Sequence, residues 1–320
     1  MQESGSHAVA KSTAQLTPPE RARLEQVEGM VFDVQRFSLH DGAGLRTNIF
    51  FKGCAMRCPW CANPESQHRE PELWYSAQRC IDCGQFAPSC ASCIGRNRAA
   101  DKLAGMRDRL ELCPTCAIRV VGERRTAGEI LAEVLRDAPF YTGGGGMTLT
   151  GGEPTYQPRM AEALLRLAKH HHISTAVETS GHTRWRILER LLPHVDDILF
   201  DVKHMDGATH REITGVDNIL ILANLGRLAA LGAPLTVRVP LIPGFNTDEA
   251  SLGAIADFVR GLDGPAKPVH LLPYHAFGRA KYGALNRDYP WEGHERLTDE
   301  QVAACREVFI SRGLAASVGG

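Results

Sequence analysis

The strongest constraint on the fold is the alternation of apolar, strand-like segments with helix-like segments from residue 123 onward. Six strands are predicted, the first of them ahead of this region: 47–52, 147–150, 174–179, 198–203, 235–242 and 269–274. Helix starts are marked by two capping boxes, at Thr126 and Thr298. Strands separated by helices pair in parallel. We therefore predict a doubly wound sheet or an open or closed barrel, with reactive groups at the carboxyl ends of the strands.

Composition along the chain indicates one main domain with an insert. The predicted parts are a polar N-terminal extension, a first strand with a cysteine loop, a cysteine-rich insert with little periodicity, and the repeating strand–helix units with a C-terminal segment. In that order, the four parts cover residues 1–27, 28–75, 76–122 and 123–320.

Charge and hydrophobicity exclude several classes of protein. Lys and Arg total 36 against 37 Asp and Glu, so no overall field attracts nucleic acid or anionic lipid. No apolar run reaches the roughly 20 residues of a membrane span, and the first thirty residues contain no signal-like apolar core. We therefore expect a cytoplasmic protein that binds neither nucleic acid nor membrane.

Nine of the ten cysteines lie within residues 54–116, which in a reducing cytoplasm indicates metal binding rather than disulfides. The first three have the spacing C-x3-C-x2-C: Cys54, Cys58 and Cys61. Thiolates are natural ligands of iron–sulfur clusters, and three of them leave one iron of a four-iron cluster open to an external ligand. The spacing alone also permits three unrelated thiols, or a zinc site completed by His40 or His68.

With Trp60 directly before the third cysteine, this motif resembles the signature of the radical S-adenosylmethionine (SAM) superfamily. The resemblance implies a 4Fe-4S cluster whose open iron is chelated by SAM, and reductive cleavage of SAM to a 5'-deoxyadenosyl radical. It further implies that Trp60 packs near the adenine and that Asn63 contributes to SAM binding. The implied fold is a partial (β/α)6 TIM-like barrel.

The segment RFSLHDGAGLRTNIFFKGC, residues 36–54, is similar to the opening of the glycyl radical enzyme activating enzymes, such as the pyruvate formate-lyase activating enzyme. Ala43 replaces the usual proline, and the glycines on either side can still form the turn. Residues 60–67, WCANPESQ, resemble most closely the branch that activates diol, glycerol, choline and hydroxyphenylacetate enzymes. The resemblance implies an oxidoreductase of anaerobic metabolism that removes a hydrogen atom from a glycine of a partner glycyl radical enzyme. Asp41 is expected to help hold the catalytic loop.

The same resemblance assigns residues near the ends of later strands to SAM binding. The matching positions are Gly151, Gly152, Glu153, Glu178, Thr179, Asp201, Lys203, Arg238 and His275. In the family the glycines contact the SAM amino group, the lysine contacts SAM, and the acids contribute to a monovalent cation site. Glu178 stands where relatives often have aspartate. Strand alternation places Asp201 and Lys203 on one face, where an ordinary ion pair is the alternative to a catalytic role.

The insert resembles the bacterial ferredoxin module, in which C-x2-C-x2-C-x3-C-P occurs twice. Here Phe86 replaces the third cysteine of the first run, and the second run retains only Cys113. We predict one auxiliary 4Fe-4S cluster, and its ligands are Cys80, Cys83, Cys113 and one of Cys90, Cys93 and Cys116. A zinc site is the alternative.

Two other classes of function stay open from the sequence. The first is a radical SAM enzyme acting on a small molecule or another peptide, against which DGAGLR together with a ferredoxin-like insert argues. The second is an iron–sulfur electron-transfer or zinc-binding protein, which leaves the strand-end residues without a function. For the activating enzyme we expect a monomer that receives electrons from a flavodoxin or ferredoxin.

Overall fold

A nine-stranded sheet organises the chain in the computed structural model, which describes residues 15–39, 41–81 and 113–319. The strands are β1 (Glu28–Ser38), β2 (Arg46–Phe51), β3 (Glu72–Tyr75), β4 (Ile118–Val121), β5 (Glu123–Thr126), β6 (Gly146–Gly151), β7 (Ser174–Thr179), β8 (Asp197–Asp201), β9 (Leu235–Leu241), β10 (Val269–Pro273) and β11 (Ala316–Val318). The order in the large sheet is β11-β10-β9-β8-β7-β6-β2-β1-β5, and β3 pairs with β4 separately.

Helices connect the parallel strands. They are α1 (Pro18–Glu25), α2 (Ala127–Asp137), α3 (Pro158–His170), α4 (Trp185–Leu191), α5 (Gly207–Thr214), α6 (Ile219–Ala230), α7 (Glu249–Arg260), α8 (Gly278–Ala284) and α9 (Asp299–Ile310). Both predicted capping boxes are present, with Thr126 starting α2 and Thr298 starting α9. Within the described residues no single helix is long and apolar enough to cross a membrane, and only the pair α5 and α6, bent by 115°, reaches that length together.

The parallel part of the sheet confirms the predicted partial barrel. Strand β2 pairs in parallel with β6, and β6 to β11 follow in sequence order, each parallel to the one before. Each of the six predicted strands is present. Pairing ends at β5 and β11, so the sheet formed by the described residues is open. The carboxyl ends of β2 and β6 to β10 consequently meet at one edge.

Several elements were not predicted from the sequence. Strands β1 and β5 extend the sheet in antiparallel pairing, and β11 adds a parallel edge. Helix α1, in the predicted extension, places Leu24 in the main core. The predicted strand 198–203 ends earlier, at Asp201. Lys203 therefore lies beyond the strand, where the side chain of Asn246 donates to its carbonyl at 2.8 Å.

Strands β3 and β4 bring the two ends of the cysteine-rich segment together. They pair antiparallel, with Tyr75 opposite Ile118. Leu73, Cys113 and Ile118 are buried in a small apolar cluster against which Cys80 packs. Residues 82–112 lie outside the described residues, and with them Cys83, Cys90 and Cys93. The ferredoxin-like character of the insert stays a prediction.

Candidate active site

A cavity of about 240 Å³ lies at the carboxyl ends of the parallel strands. Its walls come from the loop after β2 and from the ends of β6, β7 and β8, with one side chain from β9. Twelve predicted site residues line it: Cys54, Cys58, Trp60, Cys61, Asn63, Gly151, Gly152, Glu178, Thr179, Asp201, Lys203 and Arg238. The fold thus brings most of the predicted set to one place, while the contacts of these residues with a cofactor stay predictions.

The cysteine loop is closed at its base by contacts that follow directly from β2. The N–H of Gly53 donates to the Ser66 carbonyl at 2.6 Å. Lys52 is fully buried, and its Nζ donates to the Glu65 carbonyl at 2.5 Å. Gly53 has φ +99°, and a Cβ at this position would lie 2.6 Å from the Tyr156 ring. Glycine is therefore required where the strand turns into the loop.

Burial makes the three thiols of the loop poor acids in the absence of a metal. It raises the pKa of Cys54 and of Cys58 to about 12 each, and it also raises that of Cys61. Lys203 opposes the shift at all three sulfurs. Thiolate ligands form by losing protons as metal binds, and the ammonium group of Lys203 favours the anionic thiolates that a metal centre requires.

Donors from the backbone also face these sulfurs. The backbone N–H groups of Met56 and Asn63 lower the pKa of Cys54 and of Cys61, respectively, against the effect of burial. Such N–H contacts to cysteine sulfur are a protein's means of tuning iron–sulfur clusters. Across the described ranges no three Cys, His, Asp or Glu side chains form a ready metal-binding group, so the thiols share one wall of the cavity without converging. Their chemistry fits an iron–sulfur cluster.

Four ionisable side chains form a continuous row along the cavity. Arg238 Nη1 donates to Glu178 Oε1, and Arg238 Nε lies 3.8 Å from Asp201 Oδ1. Lys203 Nζ donates to Asp201 Oδ2 at 2.8 Å. Although burial lowers the pKa of Lys203, Asp201 raises it to a net value above the ordinary one. Glu178 and Asp201 likewise raise the pKa of Arg238 above its ordinary value, although burial lowers it. Lys203 and Arg238 therefore both stay charged.

Glu178 has an unusual protonation equilibrium. Burial raises its pKa to about 7, although Arg238 opposes the shift. The Thr150 hydroxyl donates to the other oxygen of this carboxyl group. Arg238 Nε is buried and has no hydrogen-bond partner among the residues that the structure describes. The row thus pairs two cations with two acidic side chains along the cavity.

Gly151 and Gly152 allow the backbone at the end of β6 to lie very close to other backbone atoms, a contact that was not predicted. A Cβ at Gly151 would lie 2.5 Å from the Phe51 nitrogen, and one at Gly152 would lie 2.4 Å from the Gly53 carbonyl oxygen. Both glycines thus let the end of β6 pack against the start of the cysteine loop. They also line the cavity, so their backbone is accessible to a ligand as well.

Glu153 lies outside the cavity lining, and both oxygens of its carboxylate accept hydrogen bonds from protein groups. It is 2 % exposed. Its Oε1 accepts from the Thr155 N–H at 3.1 Å and from the hydroxyls of Thr155 and Thr179 at 2.8 Å each. Its Oε2 accepts from the N–H and hydroxyl of Ser180 at 3.0 and 2.7 Å. Glu153 consequently ties the end of β6 to the end of β7, and its predicted SAM contact stays untested.

Asp41 and His275 also lie outside the cavity lining. The Asp41 carboxylate accepts from the Ser38 hydroxyl at 2.7 Å and from the side chain of Asn48, which fixes the turn that follows β1. His275 stacks on Phe277 with ring centroids 4.1 Å apart, and burial lowers its pKa. The expected catalytic role of Asp41 and the SAM contact of His275 therefore stay predictions.

Aromatic packing fixes the ring of Trp60, the residue that is predicted to lie near the adenine of SAM. Trp60 is 8 % exposed, and its ring centroid lies 4.8 Å from that of Phe245 and 5.4 Å from that of Trp291. Two rings from the C-terminal half thus support a side chain of the cysteine loop. Sequence reasoning missed these contacts, and it missed further cavity-lining residues: Met56, Ala62, Ser66, Gln67, Thr150 and Ser180.

Helix α8 holds the cysteine loop from the other side, and no motif in the sequence indicates this contact. Lys281 Nζ donates to Asn63 Oδ1 at 2.6 Å, and the Tyr282 hydroxyl donates to the Cys58 carbonyl at 3.4 Å. A Cβ at Gly278 would lie 2.3 Å from the Cys61 carbonyl oxygen. The cysteine loop is therefore packed between the strand ends and α8.

The two described cysteines at the ends of the insert share one environment. Cys113 is buried beside the half-buried Cys80 in the small cluster over β3 and β4. Burial raises the pKa of Cys113, but the N–H groups of Ile118 and Ala117 lower it, and the net shift is downward. Cys116 is exposed, with φ +49°. The lowered pKa favours the thiolate form of Cys113, and the role of these cysteines as auxiliary ligands stays a prediction.

Comparison with known proteins agrees with this site. Residues 48–252 match the family model of the Radical SAM superfamily. The chain is 40% identical to the choline trimethylamine-lyase activating enzyme of Oleidesulfovibrio alaskensis over 87% of this chain and 94% of that protein. It is 41% identical to the isethionate sulfite-lyase activating enzyme of Nitratidesulfovibrio vulgaris, over 82% and 89%. Identity to the (2S)-3-sulfopropanediol sulfolyase activating enzyme of Bilophila wadsworthia is 42%, over 84% and 92%. The chain therefore belongs to the glycyl radical enzyme activating enzymes of the radical SAM superfamily.

Proposed function

We propose that this activating enzyme installs the glycyl radical of a partner lyase of the kind named by its relatives, whose names refer to choline, isethionate and (2S)-3-sulfopropanediol. When bound, a reduced 4Fe-4S cluster and SAM supply the 5'-deoxyadenosyl radical that takes a hydrogen atom from a glycine of the partner. The observation that carries the proposal is that the cysteine loop and the row of charges share one cavity.

The cluster would be held by Cys54, Cys58 and Cys61, with the fourth iron left for SAM. Lys203 offsets part of the negative charge that three thiolates would introduce. The N–H groups of Met56 and Asn63 stabilise the same thiolates. These residues thus supply position and charge balance, and the radical chemistry belongs to the cofactors.

SAM would be oriented by groups on the strand ends. Arg238 and Lys203 are cationic and face the cavity, so they suit the carboxylate of SAM. The backbone at Gly151 and Gly152 suits its amino group, and Trp60 suits its adenine. Thr179 is held in place by Glu153. Fixed groups of this kind reduce the entropy lost when the reacting atoms are brought together.

A monovalent cation beside SAM would have to compete with Arg238. The guanidinium already contacts the carboxylates of Glu178 and Asp201, which are the predicted cation ligands. We therefore propose that any effect of sodium or potassium on SAM affinity is small. A titration of SAM in buffers containing sodium, potassium or a bulky tetraalkylammonium ion tests this, and a strict requirement for one small cation would contradict it.

We also propose one auxiliary 4Fe-4S cluster, with Cys80 and Cys113 among its ligands. The shared apolar cluster around these two residues and the N–H donors to Cys113 support it. About eight irons per chain after anaerobic reconstitution fits two clusters, whereas about four irons with zinc favours a zinc site. We further propose a flavodoxin or ferredoxin as electron donor, and action as a monomer in the cytoplasm.

The decisive test is anaerobic co-incubation with candidate partner lyases, SAM and a reductant. We expect 5'-deoxyadenosine together with a glycyl radical signal in the EPR spectrum for one lyase. Cys58→Ala should abolish both, and Cys305→Ala is the matched control because Cys305 is a buried thiol remote from the loop in sequence. Formation of 5'-deoxyadenosine with no glycyl radical in any candidate would favour a small-molecule or other peptide substrate instead.

A further inference from the structure

Lys281 makes two close contacts with the cysteine loop. Its Nζ donates to Asn63 Oδ1 at 2.6 Å and to Glu65 Oε1 at 2.7 Å. Glu65 is 4 % exposed and its Oε2 has no hydrogen-bond partner in the described part of the chain, so Lys281 is the cation that balances this buried carboxylate. The ammonium of Lys281 also lowers the pKa of Cys61 against the effect of burial.

The contact with Lys281 determines which end of the Asn63 carboxamide faces which way. An ammonium group has three donors and no acceptor, so it must face the carbonyl oxygen of the amide. The two possible orientations of an Asn side chain are otherwise hard to tell apart. With Oδ1 held by Lys281, the Nδ2 group is the free end, and within the described residues it donates to no protein acceptor.

Asn63 is fixed at its backbone as well. Its carbonyl accepts from the Ser66 N–H at 2.9 Å and from the Ser66 hydroxyl at 2.7 Å, and the residue lines the cavity with the three cysteines of the loop. The residue is therefore anchored at two points and presents an amide donor to the space that SAM is proposed to occupy. An oriented donor of this kind needs no rearrangement when the ligand binds.

We propose that Lys281 is a positioning residue for SAM, because it turns the Asn63 carboxamide so that Nδ2 donates to an acceptor atom of the bound SAM. This inference rests on the proposed function, since it requires SAM in the same cavity. Lys281 itself does not touch SAM and acts through Asn63. Removal of Lys281 frees the amide to rotate and leaves Glu65 without its cation.

The test is the SAM dissociation constant of the reconstituted protein, measured anaerobically through the change in the cluster's EPR spectrum. Asn63→Leu and Lys281→Met should each weaken SAM binding by about five- to ten-fold, the equivalent of one hydrogen bond. The double variant should bind no more weakly than Asn63→Leu alone, since a residue that acts through another shows strong coupling in a double-mutant cycle.

Two further variants keep the test independent of folding. Asn63→Asp retains an oxygen for Lys281 but turns an acceptor toward the cavity, so SAM binding should fall while iron content is unchanged. Arg279→Met removes a charge from the exposed side of the same helix and should bind SAM like the wild type.

Wild-type affinity in Lys281→Met or Asn63→Asp, or multiplying effects in the double variant, would overturn the inference. Absence of any SAM-dependent EPR change in the wild type would instead overturn the proposed function, and the inference with it.

Discussion

Ser180 donates two hydrogen bonds to the carboxylate of Glu153, one from its N–H at 3.0 Å and one from its hydroxyl at 2.7 Å. The two residues follow different strands, so this contact sets the distance between the ends of β6 and β7. Both strand ends contribute to the cavity wall. Glu153, which lies outside the cavity lining, thereby influences the shape of the site.

Replacing Glu153 should consequently affect both stability and ligand binding. Glu153→Ala leaves the Thr155, Thr179 and Ser180 donors unpaired in a buried place, which we expect to cost about 2–4 kcal/mol in free energy of unfolding. Chemical denaturation measures the loss, and SAM affinity should fall with it. The exposed Glu295→Ala is the control and should stay within about 0.5 kcal/mol of the wild type. A Glu153→Ala variant that is as stable as the wild type would contradict the contact network.

The raised pKa of Glu178 predicts how stability depends on pH. The folded protein holds this proton up to about pH 7, whereas the ordinary carboxyl group of the unfolded chain loses it near 4.5. Since the folded state binds the proton more tightly, the contribution of Glu178 to stability is present at low pH and is lost as the pH rises from about 4.5 through about 7. The expected loss is on the order of 2–3 kcal/mol.

Comparison with Glu178→Gln isolates this contribution from that of other titrating groups. The difference in unfolding free energy between wild type and variant, measured on the metal-free protein from pH 5 to 8, should shift against the wild type as the pH rises. A difference independent of pH would show that Glu178 is ionised throughout and that Arg238 outweighs burial.

Gly278 should be intolerant of any side chain. A Cβ there meets the Cys61 carbonyl oxygen at 2.3 Å, so either α8 or the cysteine loop must move. We expect Gly278→Ala to lower stability by about 1–3 kcal/mol and to reduce the iron retained by the protein. Gly283→Ala in the same helix meets no atom within 4 Å and should be neutral or slightly stabilising. Equal iron content and stability in the two variants would argue against a close fit of α8 on the loop.

Cys113 should be needed for the auxiliary cluster but not for the SAM cluster. Cys113→Ser is expected to lower the iron content by about four per chain while SAM still perturbs the EPR spectrum of the remaining cluster. Cys116→Ser should leave the iron content unchanged if Cys116 is not the fourth ligand. Retention of all the iron in Cys113→Ser would exclude this residue from the ligand set.

The sequence was sufficient for the parts of the fold that depend on local pattern. Buried apolar runs identified β2 and β6 to β10, and the spacing of Cys54, Cys58 and Cys61 identified the loop. Strands β1, β5 and β11 were not predicted, because they extend the edges of a sheet that the other strands define. Element ends were also harder to place, as Lys203 shows by lying past β8.

The part of the site that could not be predicted consists of contacts between segments that are far apart in the sequence. Lys281 carries no motif, and its importance comes from the packing of α8 against a loop more than two hundred residues earlier. Glu153 and Ser180 likewise meet only when β6 and β7 pair. The glycines of β6 were expected to approach a ligand, whereas their closest neighbours are backbone atoms of β2 and the cysteine loop. Such relationships exist only once the chain has folded.

The pairing of Tyr75 with Ile118 has a consequence for the segment that follows β3. The polypeptide departs from the barrel and returns to it at neighbouring points, because the antiparallel pairing of β3 with β4 fixes the distance between them. Because the entropy of closing a loop changes only slowly with its length, the segment between β3 and β4 can lengthen or shrink at little cost in stability. Changes in the length of that segment should therefore leave the large sheet and the cysteine loop in place.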